Sequence, residues 1–368
     1  MRWNWQLQDW GEFRYDAQAL RSREDQFLKS TGKWIGKFEH LSDTDKAELR
    51  VELLSTEATQ TSQIEGELLD RDSVQVSIRR LLGLAADGRR VKPAEYGIAE
   101  MMVEVYQNFA LPLDDKQLFE WHRMLTQGRR DLQVIGGYRT HDDPMQIMSG
   151  PLERPVVHFE APPSSRVPEE MKRFLAWLHD SHPGGTEPIP AITRAGIAHL
   201  YFESIHPFED GNGRIGRAIS ERILSQAIGQ PSLLMLADTL EQTRKEYYDR
   251  LNRASLSNDV SGWLDWFADR VIEAQERTLE QLDFLLFKAR LFDELRGRLN
   301  PRQEKALARL FRAGPGGFDS GLSASNYQRI TGTSAATTTR DLQDLVEKHA
   351  LIRRGERKHT RYYLNWRG

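Results

Sequence analysis

The residues best equipped for chemistry lie together in one twelve-residue stretch, 206–217, with the sequence HPFEDGNGRIGR. His206 is its only neutral base, and an imidazole titrates near neutral pH, so this side chain is suited to accept a proton. Asp210 offers a carboxylate for a divalent cation. Arg214 and Arg217 are three residues apart, so on a helix both can face one anion. These residue types together predict a phosphoryl-type transfer.

The stretch joins two amphipathic helices. Apolar residues recur at helical spacing on both sides, at Ile197, Leu200, Tyr201 and Ile205 and again at Ile215, Ile219 and Ile223. Pro207 disfavours helical geometry at the preceding residue, so the first helix is expected to end at His206. Gly211 and Gly213 allow the backbone to approach a ligand closely. The second helix then presents free N–H groups and its positive dipole end, which favour an anion.

Two other interpretations of this stretch are possible. Gly211, Gly213 and Gly216 formally match the dinucleotide-binding fingerprint, but that fingerprint requires a preceding strand within a βαβ unit, and here a helix precedes. A plain helix-loop-helix with surface arginines explains any two of these residues, although not the whole set at this spacing.

The complete stretch resembles the signature of the Fic family, in which a His, a Phe, an acidic residue, Gly-Asn-Gly-Arg and a final Arg occur at this spacing. The resemblance implies a mainly α protein with a Fic-type helical bundle, a small β-hairpin flap and an N-terminal helical extension. We expect the extension at 1–94, the catalytic domain at 95–275 with its flap at 145–159, a linker helix at 276–300 and a last domain at 301–368.

The resemblance further implies transfer of AMP from ATP to a Ser, Thr or Tyr hydroxyl of a protein, including the enzyme itself. His206 would take the hydroxyl proton, and Phe208 would anchor the loop in the core. Asp210 would hold the Mg²⁺ (or Mn²⁺) ion that bridges the α- and β-phosphates.

The remaining residues of the stretch are implied to bind the nucleotide. Asn212, with the backbone N–H groups of Gly211 and Gly213, would cradle the α-phosphate. Arg214 would assist the leaving pyrophosphate, and Arg217 would reach the γ-phosphate.

A β-hairpin is predicted between two short strand-like runs, Met145–Met148 and Val156–Phe159, which flank turn-forming residues. Together with the preceding 137–139, it looks like the target-docking flap of the Fic family. The residues expected to pair with the target backbone as an added strand are Met145, Gln146, Ile147 and Met148. The alternative is a structural hairpin that covers the core.

A second motif, TSQIEG, occupies 61–66. Alone it is typical of a helix that ends at a glycine. Beside a Fic signature it resembles the inhibitory helix of this family, expected here at about 43–66. The Glu65 carboxylate could bind the Arg217 guanidinium bidentately and so exclude the γ-phosphate. Thr61, one turn earlier, would help to hold the helix in place.

The last 68 residues differ in charge from the rest. Residues 301–368 carry 13 Lys and Arg against 6 Asp and Glu, whereas the whole chain has a net charge of −3. Three helices followed by a basic hairpin are predicted, which looks like a winged helix. It could bind DNA or dock a protein. The basic residues expected to contact phosphates are Arg340, Arg354, Arg357, Lys358 and Arg361.

Composition limits the remaining possibilities. The chain has 368 residues, 39% of them hydrophobic, and no cysteine, so it has no disulfide or thiol nucleophile. This fits a cytoplasmic protein, and no apolar run is long enough to predict a membrane span. Two alternative functions stay open: a DNA-binding regulator whose Fic domain senses nucleotide, and an enzyme that also removes AMP with Glu65 positioning water. The sequence fixes neither the target protein nor the oligomeric state, and it leaves a homodimer open.

Overall fold

The computed structural model describes residues 2–149, 156–315, 318 and 320–366. Helices dominate the described residues. The first five α-helices are α1 (Ala17–Glu39), α2 (Asp43–Ile64), α3 (Arg71–Leu81), α4 (Pro93–Asn108) and α5 (Asp115–Leu125). The next six are α6 (Val167–Asp180), α7 (Ala191–Ile205), α8 (Asn212–Ile228), α9 (Leu236–Gln242), α10 (Arg244–Ala254) and α11 (Ser261–Glu294). The last three are α12 (Pro301–Phe311), α13 (Ala324–Thr331) and α14 (Ala335–Glu347).

The described strands form two antiparallel hairpins. Strands β1 (Gln146–Ser149) and β2 (Val156–Glu160) make the first, and β3 (Leu351–Arg354) and β4 (Arg361–Leu364) the second. The mainly α architecture with a small β-hairpin is therefore confirmed. Helices α9 and α10 follow one another directly and are separated only by Thr243.

The chain divides into two compact units. The first contains the residues up to Ile35 together with Arg50–Thr278, and the second contains Gly36–Leu49 together with the residues from Leu279 onward. The catalytic domain was expected to end at residue 275, and the first compact unit ends at Thr278. Both positions lie inside α11, which runs from Ser261 to Glu294.

The first unit is built around α7 and α8. Both helices are buried along most of their length, in keeping with the apolar residues that α7 carries on all sides. Helix α2 is joined to this core through Glu57, whose carboxylate accepts hydrogen bonds from the backbone of Ala237 (2.7 Å) and Asp238 (3.2 Å) at the start of α9. The carboxylate thus caps α9 and fixes the position of α2.

The N-terminal residues belong to the same core. Trp3 and Trp5 are buried with Phe159 of the first hairpin. The Asn4 amide donates to Ser204 Oγ at 2.9 Å, and the Asn4 N–H donates to the carbonyl of Ser255 at 2.7 Å.

The second unit has its own core. Its buried apolar side chains include Phe284, Leu307, Leu310, Tyr327, Leu342 and Leu351. Ser323 caps α13 and Ser334 caps α14, each accepting from a backbone N–H in the first turn. The order of three helices and a hairpin agrees with the sequence, and its assignment as a winged helix stays a prediction. In the described ranges, no helix combines the length and apolarity needed to cross a bilayer.

Candidate active site

The stretch 206–217 forms the turn between α7 and α8. Helix α7 ends at Ile205, and His206 adopts the left-handed conformation with φ 50°. Gly211, also left-handed at φ 85°, directly precedes the first residue of α8. The predicted helix end and helix start are therefore both confirmed. The turn places His206 close to the N-terminus of α8.

A buried arginine outside the stretch holds this turn. The Arg139 Nε donates to the carbonyl of His206 at 2.8 Å, and its backbone N–H donates to the carbonyl of Pro207 at 2.9 Å. A further nitrogen donates to the carbonyl of Pro162 at 2.5 Å. Burial lowers the pKa of Arg139 to about 10, which leaves it charged at neutral pH. The backbone carbonyls of the turn are thus bound to a fixed cation.

Two buried side chains, Phe208 and Asn212, hold the loop in place. Phe208 is fully buried and stacks on His122 with ring centroids 4.4 Å apart. Burial lowers the pKa of His122 to about 4, so this ring is neutral. The Asn212 amide accepts from the Phe208 N–H at 2.9 Å and donates to the Phe208 carbonyl at 2.8 Å. The Asn212 side chain therefore clamps the loop, which differs from the phosphate contact that the resemblance implied for it.

A carboxylate lies at the start of α8. The N-terminus of this helix has no side-chain cap. A Cβ placed on Gly213 would collide with Oε1 of Glu65, so the Glu65 carboxylate lies directly against the first turn. The absence of a side chain at Gly213 provides the space, and the carboxylate occupies the position where helix geometry favours an anion.

Arg217 is buried beneath this carboxylate. Its Nη2 donates to Glu65 Oε1 at 2.6 Å and to the Thr61 carbonyl at 2.9 Å, and its Nε donates to Thr61 Oγ1 at 2.6 Å. The expected bidentate Glu65 pair is therefore wrong in detail. Glu65 receives a hydrogen bond from Nη2 alone, and Thr61 accepts from both Nε and Nη2. Tyr248 donates to the second Glu65 oxygen at 3.3 Å. Burial opposes the charge of Arg217, but the Glu65 carboxylate outweighs it and raises the pKa of Arg217.

Arg214 is bound by a second acidic residue of the same segment. Its Nη1 donates to Glu67 Oε2 at 2.8 Å, and its Nη2 donates to Asp210 Oδ1 at 3.2 Å. Asp210 Oδ2 also accepts from Arg129 at 2.5 Å. Although burial opposes ionisation, Arg214 and Arg129 hold the pKa of Asp210 below its ordinary value. Asp210 is thus an anion, and two guanidinium groups bind it.

Metal-binding groups are few at this site. Within the described part of the chain, no cluster of three or more His, Asp or Glu side chains could hold an ion. A metal at Asp210 would therefore take one protein carboxylate and draw its other ligands from phosphates and water. Mg²⁺ commonly binds in this way.

His206 itself is 9% exposed. Its Nδ1 lies 3.6 Å from Oε2 of Glu203 and makes no hydrogen bond to any described residue. The His206 imidazole is therefore enclosed, and a carboxylate lies near it.

The predicted flap is a hairpin with a bulge. Gln146 pairs with Glu160 and Ile147 with Phe159, and the register shifts after Ile147. The strand begins at Gln146 and not at Met145, and Met145 packs against the buried Trp3 cluster. The turn residues 150–155 lie outside the described part of the chain.

The flap presents apolar side chains to solvent. Ile147 is 37% and Met148 53% exposed, and Val156 and Val157 opposite them are 54% and 37% exposed. An exposed apolar strand is able to accept a further strand.

A cavity of about 450 Å³ lies between the flap and α10. We call it the Glu65 cavity. Ile147, His158 and Tyr248 line it, together with Glu65 and Glu203. Its volume falls within the roughly 300–1,000 Å³ of small-molecule sites.

The predicted phosphate contacts of the second unit are mostly at its surface. Arg340, Arg354 and Arg357 are exposed, and Arg361 is partly buried. The Lys358 side chain lies outside the described part of the structure. Helix α14 also carries acidic residues, and Asp341 is held there by Arg302 at 2.8 Å.

The sequence did not indicate several residues of the site. Glu67, Arg129, Glu203 and Tyr248 contact the motif residues but have no spacing pattern of their own. Glu67 had one usable signal, because it lies two residues after Glu65 in a segment already expected to be inhibitory.

Comparison with known families identifies two regions. A model described as the Fic/DOC family matches residues 112–224. A model described as a domain of unknown function, DUF4172, matches residues 3–84.

Known proteins with Fic in their names are similar to parts of the chain. Protein adenylyltransferase fic-1 of Caenorhabditis elegans is 37% identical over 92 residues, covering 25% of this chain and 16% of the relative. Protein adenylyltransferase Fic of Drosophila ananassae is 28% identical over 204 residues, covering 54% of this chain and 35% of the relative. The chain thus matches only about a third of the length of the second relative, and less of the first.

Likeness to solved structures extends further along the chain. A Fic family protein from Desulfovibrio desulfuricans G20 has 22% identity and a TM-score of 0.52, and the match covers 94% of this chain and 97% of that one. At 22% sequence identity, this similarity shows only that the two chains share a fold. The stretch 206–217 lies inside residues 112–224, so it belongs to the part of the chain that matches the Fic/DOC family.

Proposed function

We infer that this chain is a protein adenylyltransferase that transfers AMP from ATP to a Ser, Thr or Tyr hydroxyl and is held back by its own Glu65. One observation carries this inference: a histidine lies beside an uncapped helix start at which an internal carboxylate and two arginines meet. That arrangement suits a phosphate chain and a proton acceptor. The names of the two relatives point to the same reaction.

The reaction would proceed by displacement at the α-phosphorus. The target hydroxyl oxygen forms a bond to the α-phosphorus while the bond from that phosphorus to the α,β-bridging oxygen breaks. Pyrophosphate leaves with the electron pair, and the hydroxyl proton moves to His206. Catalysis then depends mainly on positioning and electrostatics.

Residues at the start of α8 would bind the phosphates. The backbone N–H groups of Asn212 and Gly213 belong to the first turn of α8, against which the Glu65 carboxylate lies. Arg214 would neutralise the leaving pyrophosphate, and Arg217 would bind the γ-phosphate. Each arginine already binds a carboxylate, so each is suited to an anion of similar geometry.

Asp210 would hold a Mg²⁺ or Mn²⁺ ion together with the ATP phosphates. Such an ion neutralises charge on the phosphates when bound. Asp210 would have to give up part of its contacts to Arg129 and Arg214. Since the pKa of Asp210 is lowered, it is already ionised for this role at neutral pH.

The Glu65 cavity would take the nucleoside. It opens beside Glu65 and lies under Ile147 of the flap, so a nucleotide whose phosphates lie at α8 would have room for its base there. The same flap would pair with the target's backbone through Gln146–Ser149, which brings a hydroxyl towards His206 whatever the target's side chains.

Glu65 and Glu67 would act together as the brake. Glu65 occupies the helix start and Arg217, while Glu67 occupies Arg214. Thr61 holds Arg217 through its hydroxyl and its carbonyl. ATP would therefore meet two arginines that are already neutralised.

Other roles stay as hypotheses beside this one. A DNA-binding regulator is favoured by the exposed arginines of β3 and its turn, and opposed by the acidic residues of α14. Retention of a DNA duplex that depends on Arg354 and Arg357 would support it. Removal of AMP by the same site, a homodimer and a cytoplasmic location also remain predictions.

The main test is the intact mass of the protein after incubation with ATP and Mg²⁺, alone and with a protein mixture. An increase by one adenylyl group in the wild type or in Glu65→Gly, and its loss in His206→Ala, is the expected result. If correctly folded wild type and Glu65→Gly both leave every protein unmodified, the proposed activity is wrong.

A further inference from the structure

We propose that Glu203 is a positioning residue, which fixes the imidazole proton of His206 on Nδ1 and leaves Nε2 free as the base. The proposal rests on the adenylyl transfer proposed above. It concerns a residue outside the stretch 206–217, and no motif marks it.

The geometry places the two side chains against each other. Glu203 lies on the last turn of α7, three residues before His206, and its Oε2 is 3.6 Å from Nδ1 of the imidazole. The side chains are 12% and 11% exposed. Nδ1 of His206 and Oε1 of Glu203 are both buried, and neither has a hydrogen-bond partner among the described residues. A small rotation of either side chain would bring the pair within hydrogen-bond distance.

The backbone limits the other choices for the imidazole. His206 is left-handed at φ 50°, and Arg139 holds its carbonyl at 2.8 Å. The ring can therefore turn about its side-chain bonds but cannot move away with the loop. Glu203 is the carboxylate that faces its Nδ1 edge.

The Glu203 carboxylate fits here because the neighbouring residue, Gly216, has no side chain. A Cβ on Gly216 would lie 2.9 Å from Glu203 Oε1 and 3.3 Å from the ring of His199. Gly216 is thus placed where a side chain would push the carboxylate away from His206.

The surrounding charges keep Glu203 ionised. Burial opposes its ionisation, but His206, His199 and Arg217 face it, and together they hold the pKa of Glu203 below its ordinary value. A carboxylate is a hydrogen-bond acceptor only. It therefore favours the imidazole tautomer with the proton on Nδ1.

This tautomer is the one that the reaction requires. Nε2 then carries the lone pair that takes the target's hydroxyl proton as the new oxygen–phosphorus bond forms. Once both ring nitrogens carry protons, the same carboxylate stabilises the imidazolium. Because Glu203 also lines the Glu65 cavity, a replacement of the same shape is needed, and it should slow the chemical step more than it changes nucleotide binding.

The experiment compares wild type with Glu203→Gln, which keeps the shape but can present an N–H to Nδ1. With Glu65→Gly in both backgrounds to relieve the inhibition, we expect kcat to fall about 10- to 100-fold, which is less than the roughly 10²–10⁴-fold that loss of the general base itself would cost. KM for ATP should change less than about twofold. The control is Glu170→Gln, because that carboxylate is also buried but contacts Trp10 and Arg166 instead of the loop.

The second readout needs no activity. In protein labelled with ¹⁵N-histidine, the His206 signals are those absent from His206→Ala. The proton should be on Nδ1 in wild type and should redistribute towards Nε2 in Glu203→Gln. An unchanged tautomer, or an Nε2 proton in wild type, overturns the proposal. If the wild type transfers no AMP, the proposed function fails, while the tautomer measurement still decides the role of Glu203.

Discussion

Removing the Glu65 carboxylate should increase the rate of the proposed AMP transfer, and the contacts of Glu65 limit the size of this increase. Glu65 gives one oxygen to Arg217 at 2.6 Å, and its side chain is 29% exposed while that of Arg217 is 4% exposed. A hydrogen bond to a charged group contributes roughly 1.5–3 kcal/mol. The single contact and the partial exposure favour the lower half of this range. At about 1.4 kcal/mol per tenfold, Glu65→Gly should raise the rate about 10- to 40-fold.

The release should be incomplete, because Thr61 still holds Arg217 through two contacts at 2.6 and 2.9 Å. Adding Thr61→Ala to Glu65→Gly should therefore raise the rate further by loosening the guanidinium. Adding Arg217→Ala should abolish the gain, since the freed arginine is the proposed contact for the γ-phosphate.

The assay is the initial rate of labelled AMP incorporation at ATP concentrations well below KM. Glu65→Gln is the matched control, because it keeps the size of the side chain but removes the charge, and it should give a smaller activation. Circular dichroism confirms that each variant is folded. Unchanged or reduced labelling in folded Glu65→Gly would refute the brake and leave this segment as an ordinary helix end.

The remaining predictions concern four other residues. His206→Ala should reduce transfer by about 10²–10⁴-fold with little change in ATP affinity measured by calorimetry; a wild-type rate would disprove its role as base. Ile147→Asp should impair target modification more than ATP affinity, whereas an equal loss of both would indicate misfolding. Glu67→Gln should activate by no more than about fivefold, because its side chain is 39% exposed and such pairs contribute about 0.2–1 kcal/mol; labelling beyond that of Glu65→Gly would contradict this order. Burial raises the pKa of Glu221 from 4.5 to about 7, so the folded state binds more protons between these pH values. Its contribution to stability is full below pH 4.5 and is lost as pH rises through 7. Glu221→Gln should therefore flatten the decline of Tm over that interval, and an unaltered slope would assign the decline to another group.

The sequence predicted the local features of the site well, because they depend on neighbouring residues. Pro207 fixed the end of α7, and the residues of the stretch 206–217 determined the start of α8. The Glu65–Arg217 contact was also predicted, although it joins residues 152 positions apart. A family resemblance supplied it, since no periodicity links the two segments.

The partners of those residues could not be predicted in the same way. Arg139, Glu67 and Glu203 reach the loop from other elements, and only the packing of those elements decides which side chains meet. The role of Asn212 illustrates the limit. The family resemblance implied a phosphate contact for this side chain, whereas in the fold its amide is bound to the backbone N–H and carbonyl of Phe208.

The buried N-terminal segment has a consequence for how the molecule folds during synthesis. Asn4 contacts Ser204, which is 200 residues away, and Asp9 accepts from Asn258, which is 249 residues away. Arg14 forms a bridge to Asp259 in the same region. Residues 4–14 therefore do not have all of these partners until the chain has been made as far as Asp259. Contacts of such sequence separation slow folding, because closing a long loop costs entropy before the contact forms. The N-terminal aromatic segment therefore completes its packing late in translation, when the residues just before α11 have been made.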